Sequence, residues 1–146
     1  MRKMLMLAAA MAVVTIGSAQ AQSGPNLIEY RQVGFSLLGG DFAGIRAVAT
    51  AKGDVKTLEG PAKAMQRFAA LIPALFPAGT QAGNNTKGLP EIWSDQAGFQ
   101  KAAVALGDAA GAISVAAKAG DAAGVDAGIK AVGDACGACH RAYRAR

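Results

Sequence analysis

Five residues near the end of the sequence carry its chemistry: Cys136-Gly137-Ala138-Cys139-His140. Two thiols stand three residues apart and an imidazole follows at once. On a helix, positions i and i+3 share a face, so both sulfurs reach one edge of a single flat ligand. His140 lies i+4 from Cys136 and presents its ring from the same face. C-x-x-C-H is the pattern of covalent haem attachment, with thioethers from the two Cys and an axial bond from the His to iron. His140 is also the single His of the chain. The expectation is one haem c, held through Cys136 and Cys139, with His140 as axial iron ligand.

The rival readings of the motif are weaker. A thioredoxin-like redox pair needs a βαβ context, and the flanking sequence has none. A structural zinc site needs about four ligands, and two Cys with one His fall short. A disulfide within one helical turn is poorly shaped for its Cα and Cβ geometry.

The other end of the chain agrees with haem. Arg2 and Lys3, an apolar run from Met4 to Ile16, and Ala19-Gln20-Ala21 have the layout of a secretory signal peptide over residues 1–21. The apolar run is too short for a stable membrane anchor. Cleavage would leave Gln22 first, and no other long apolar run is apparent, so the mature protein is expected to be soluble. Bacterial export of this kind leads to the periplasm, where c-type haem is attached. Removing 21 of the 146 residues leaves 125, enough for one domain with one core. The signal carries two of the 15 basic residues and none of the 10 acidic ones, so the mature formal charge is +3. Two haem propionates would bring it near +1. No Lys/Arg cluster is interleaved with aromatics, which argues against nucleic acid as a partner. Both Cys are claimed by haem, so no disulfide is expected.

The elements that must position the motif read as four helices. Segment A, about Pro25 to Thr50, has Ile28, Arg31, Phe35, Leu38, Phe42 and Ile45 at alternating spacings of three and four. Gly39 and Gly40 interrupt it and suggest a kink or a close approach. Segment B, about Asp54 to Phe76, places Leu58, Met65, Phe68 and Ile72 inward. Pro61 belongs in its first turn and Pro73 should kink or end it. Segment C starts at a Ser94 or Asp95 cap, with Phe99, Ala103, Leu106, Ala110 and Ile113 as its stripe. Ala119-Gly120-Asp121 is a short turn into segment D. There Val125, Ile129, Val132, Cys136 and Cys139 put the motif on the core face. The Pro77–Trp93 connection is long and rich in Gly, Asn and Pro. The short C–D turn makes those helices antiparallel neighbours, and the whole reads as an all-α four-helix bundle.

Three pieces together resemble the cytochromes c′, the class II c-type cytochromes: Tyr30-Arg31-Gln32, Pro90-Glu91-Ile92-Trp93-Ser94-Asp95, and Cys136 through Arg144. Their order and spacing span almost the whole mature chain, residues 22–146. The resemblance implies an antiparallel up-down-up-down bundle, usually a homodimer paired through its first two helices. Class I cytochromes are excluded by position, because they carry C-x-x-C-H near the N-terminus and only six residues follow His140.

The resemblance also assigns roles. It places Arg31 and Gln32 at the haem propionates. The residues themselves say something similar, since a cation on a core stripe wants an anionic partner. The alternative is an Arg snorkelling its head to solvent. By the same count Phe35 occupies the distal position, where low-spin relatives carry a Met ligand. Phe35 has no ligating atom, and the one mature Met, Met65, reads as core filling. Arg144, i+4 from His140, is implied to shape the proximal pocket. The alternative is a solvated charge complementing the helix dipole. Arg141 stands directly after the His, where the family often has an acid. The segment Phe76 to Thr80 resembles a haem-edge loop, with Thr80 as a contact, and Trp93 is expected to pack without a ligand role.

The functional expectation is a periplasmic protein with five-coordinate, high-spin iron that binds small gases, nitric oxide and carbon monoxide, and sequesters nitric oxide. The alternative is an electron carrier with a periplasmic redox partner. An enzyme is not expected, because peroxide cleavage wants a distal acid–base group and the Phe35 stripe offers none.

Overall fold

The structure, a computed structural model, describes residues 25–146, with side chains from residue 27 onward. The expected signal peptide lies outside the described residues. The elements are α1 (Pro25–Thr50), α2 (Glu59–Leu71), a single-turn α3 (Glu91–Ser94), α4 (Gln96–Ala119) and α5 (Ala122–Tyr143). Short 3₁₀ turns, Val55–Leu58 and Ile72–Leu75, flank α2.

Local chemistry sets the boundaries. Asp54 accepts the Lys56 N–H at 3.0 Å and opens the first 3₁₀ turn. Pro61 is the third residue of α2, where its missing N–H costs no intrahelical bond. Pro73 coincides with the tightening of the helix end into 3₁₀ geometry. Asp95 caps α4 through the Gly98 N–H, and Asp121 caps α5 through the Gly124 N–H, each at 3.0 Å. Between them Gly120, at φ +73°, supplies the left-handed residue that ends α4.

Cross-contacts give the directions. Arg31, early in α1, bonds to the segment just after α2. Ser114, late in α4, bonds to the Glu59 carbonyl at the start of α2. Tyr143, at the end of α5, bonds to Asp95 at the start of α4. The four long helices therefore alternate up, down, up, down. α4 is central, packed along both α2 and α5. Small residues permit this closeness: a Cβ on Gly128 of α5 would meet Ile113 Cγ1 of α4 at 2.5 Å.

Three expectations need correction. The α1 stripe is buried as expected at Ile28, Arg31, Leu38 and Ile45, but the helix runs unbroken through Gly39 and Gly40. A Cβ at either position would meet nothing within 4 Å, so no segment approaches there. The Pro77–Trp93 connection contains the turn of helix α3 at its end. Finally, α4 is itself long and apolar enough to cross a membrane by length and composition. Its place at the bundle centre, with Ala110, Ile113 and Ala117 fully buried, accounts for that composition.

Candidate functional site

A cavity of about 440 Å³ opens between α1, the 86–88 loop, α4 and the end of α5. Its inner wall is hydrocarbon: Leu38 and Phe42 from α1, Phe99 and Leu106 from α4. Cys136, Cys139 and His140 line it from α5, joined one turn later by Tyr143 and Arg144. The two cysteines are half-buried free thiols, and His140 is more exposed. The two cysteines pack against the core and line the cavity from there, as the core-face reading expects, with His140 nearer to solvent.

Burial pushes the Cys136 thiol up, and burial first and then Cys136 push the Cys139 thiol up. Among the described residues no three of His, Cys, Asp and Glu are placed to hold a metal ion. Burial first, and then the Arg144 charge, lower the His140 pKa, which favours the neutral imidazole that ligates iron. An apolar slot with two thiols and an imidazole on one wall and cations at its mouth fits a flat macrocycle bearing two carboxylates.

Arg31 is 2 % exposed and lies at the cavity's edge. Its guanidinium donates to Thr80 Oγ1 at 2.9 Å, the Thr80 carbonyl at 2.8 Å, Thr86 Oγ1 at 2.7 Å and the Leu75 carbonyl at 3.4 Å. It also sits 4.3 Å above the Phe76 ring. Desolvation lowers its pKa, yet a guanidinium stays charged. The snorkelling alternative is excluded by this burial. Neutral oxygens and an aromatic face hold the charge inside the protein, at the edge of the cavity where the sequence reading expects the haem propionates. Gln32 also lines the cavity and donates to the Asn84 carbonyl at 2.8 Å. Thr80 lies behind Arg31, away from the cavity lining, and its hydroxyl donates to the Pro77 carbonyl at 2.9 Å.

Phe35 lines the cavity between two other rings. Phe68 meets it edge-on at 5.6 Å and Phe76 lies tilted at 6.2 Å. Gly34 makes this possible, since a Cβ there would meet the Phe68 ring at 2.5 Å. Met65 is 1 % exposed, as a core filler should be, and it is also among the residues that line the cavity. Trp93 packs on Phe76 at 6.0 Å, donates to the Pro77 carbonyl at 3.1 Å and takes no part in the lining.

The sequence reading missed Thr86, Lys87 and Gly88, which close the mouth from the loop. No periodicity exists in a loop to reveal them. Tyr143 as a wall residue was readable, because it continues the Cys136–Cys139 stripe by i+4. Its hydroxyl donates to Asp95 at 2.8 Å, and its ring meets Phe99 edge-on at 5.2 Å.

Comparison with known proteins gives one consistent answer. The family model described as Cytochrome C′ matches residues 26–144. Cytochrome c′ of Rhodospirillum rubrum is 33% identical over 149 residues, 99% of each chain. The crystal structure of cytochrome c′ from Rubrivivax gelatinosus is similar with a TM-score of 0.77 at 33% identity, over 86% of this chain and 100% of that one. A variant of cytochrome c′ from Alcaligenes xylosoxidans, solved with nitric oxide, has a TM-score of 0.74 at 33% identity over 84% and 97% of the two chains. Another variant from that organism, solved with carbon monoxide, has a TM-score of 0.75 at 32% identity over 84% and 98%.

Proposed function

The chain belongs to the cytochrome c′ family, and from that premise we propose that it is a periplasmic haem c protein that binds nitric oxide and carbon monoxide and sequesters nitric oxide. Cys136 and Cys139 hold the group by thioethers, and His140 holds the iron. Arg31, Gln32 and Lys87, all on the cavity lining, serve the propionates. The bound group would supply an iron able to take up a small neutral ligand, five-coordinate and high-spin if His140 is its one protein ligand. Phe35 fills the distal side with hydrocarbon and excludes water and hydrated anions. Arg144 shapes the proximal side. The role is binding, without turnover; among the described residues Phe35 packs against the hydrocarbon rings of Phe68 and Phe76.

One observation carries this reading. Phe35, which the family resemblance puts at the distal position, has no ligating atom, lines the cavity and is propped by Phe68 and Phe76. The gas complexes of the Alcaligenes xylosoxidans protein support the choice of ligands. A signal peptide over residues 1–21 supports export. The outward stripe of Tyr30, Val33 and Leu37 on α1, with Leu71 at the end of α2, supports a homodimer paired through the first two helices.

The second reading is an electron carrier, and Met65 is what favours it. Its thioether would make the iron six-coordinate and low-spin. Optical and electron-paramagnetic-resonance spectra of the purified holoprotein separate the two. High-spin ferric iron, and ferrous iron that takes up carbon monoxide, is the expected result. A low-spin spectrum that Met65→Leu converts to high-spin would establish the carrier.

A further inference from the structure

From Gln22 to His140 the chain holds ten basic and ten acidic residues. The +3 formal charge expected once residues 1–21 are removed therefore equals the contribution of Arg141, Arg144 and Arg146, which follow the haem motif with no Asp or Glu among them. The fold adds a fourth cation. The Leu89 N–H donates to the Tyr143 carbonyl at 3.0 Å, and the Ala145 N–H donates to the Lys87 carbonyl at 2.8 Å. Gly88 and Arg144 thereby pair as an antiparallel bridge. Lys87 is held beside the C-terminal arginines, and both Lys87 and Arg144 line the mouth of the cavity.

All four side chains are exposed. Among the described residues the ion pair is Lys130 with Asp134, and none of the four joins one. Of the acids at this end of the bundle, Asp95 is engaged by Tyr143 and Gly98. Haem propionates would offset part of the charge at the cavity, but Arg141 and Arg146 lie outside its lining.

We propose that Lys87, Arg141, Arg144 and Arg146 form a docking surface for an acidic one-electron donor protein that reduces the iron. The inference rests on the haem reading of the cavity. A fixed cluster of one sign beside a redox centre raises the encounter rate with an oppositely charged partner and orients it. In the step, the donor's reduced cofactor loses one electron and ferric iron gains it; no bond is made and no proton moves. A protein fits better than an anionic membrane. Residues 87–88 and 141–146 present no exposed aromatic or long aliphatic side chain to insert among lipids.

The test uses the ferric holoprotein and reduced flavodoxin, an acidic one-electron donor, in stopped flow. The second-order rate should fall about tenfold as ionic strength rises from about 20 mM to about 200 mM. Arg141→Glu with Arg146→Glu should lower the low-salt rate about tenfold, while Lys56→Glu with Lys118→Glu, which makes the same charge change at the far end of the bundle, should lower it far less. Dithionite at about 500 mM salt should reduce every variant within about twofold, since screening removes the charge effect. A salt-independent flavodoxin rate, or equal losses in the two charge-reversal pairs, would overturn the surface. Tighter binding to phosphatidylglycerol vesicles than to flavodoxin would overturn the protein partner in favour of lipid. Failure of dithionite itself would overturn the haem reading and the inference with it.

Discussion

Arg31 donates to Thr80 twice, to its hydroxyl at 2.9 Å and to its carbonyl at 2.8 Å. One side chain of α1 thus folds the 77–86 loop onto the bundle and builds the edge of the cavity. Arg31→Ala leaves the buried Thr80 carbonyl without its donor and should cost about 2–4 kcal/mol in urea unfolding. Arg31→Lys should recover little of this, because an ammonium cannot span Thr80 and Thr86 together. Hydrogen exchange in the loop should speed up in both variants, and unchanged protection would show that the loop holds without Arg31.

The Tyr143–Asp95 bond ties the end of α5 to the start of α4. The Tyr143 hydroxyl first, then the Gly98 N–H, lower the Asp95 pKa. A carboxylate depressed by folding contributes stability above its unfolded pKa and loses it as pH falls through the lower folded value. Tyr143→Phe removes the larger cause, so the folded pKa rises toward the unfolded value, the contribution shrinks and its loss is complete at a higher pH. Acid unfolding followed by circular dichroism should show a midpoint moved upward, and an unmoved midpoint would count against the bond.

Two glycines of α5 should respond oppositely to alanine. At Gly128 a Cβ would strike Ile113, including its backbone N at 3.3 Å, so overpacking should cost about 1–3 kcal/mol. At Gly133 nothing lies within 4 Å, so the helix-propensity gain of about 0.5–1 kcal/mol should appear. Thermal unfolding of the two holoprotein variants measures both signs.

Haem should be required for the fold. Without haem the apolar wall of Leu38, Phe42, Phe99 and Leu106 would face water through the mouth of the cavity, and that exposed hydrocarbon is area the fold fails to bury. Cys136→Ala combined with Cys139→Ala should therefore give a haem-free chain that melts without cooperativity. Sharp unfolding with dispersed side-chain resonances would contradict this.

Much of this architecture was legible in the sequence. The α1 stripe, the Asp95 and Asp121 caps and the Gly120 turn obey local rules, and each sits where those rules put it. C-x-x-C-H announced its own chemistry and the core-facing side of α5 on which its cysteines lie. What escaped is long-range. Thr86, Lys87 and Gly88 reach the mouth only because Arg31, Gln32 and the Tyr143 carbonyl tie down a loop without periodicity. Met65 faces both core and cavity, and helical spacing cannot separate two apolar destinations. The neutral partners of Arg31 also escaped, because three oxygens arriving from residues 80 and 86 leave no mark in the sequence of α1.

The central claim is that Phe35 closes the distal side of the iron. Stopped-flow carbon monoxide binding to the ferrous holoprotein tests it most directly. The wild type should bind slowly, because entry must displace a ring wedged between Phe68 and Phe76. Phe35→Ala should accelerate association and raise affinity, Phe35→Met should drive the iron toward low spin and weaken binding, and Arg144→Ala should leave carbon monoxide nearly unaffected. If Phe35→Ala binds carbon monoxide at the wild-type rate, Phe35 is not the gate and this account of gas selectivity is wrong.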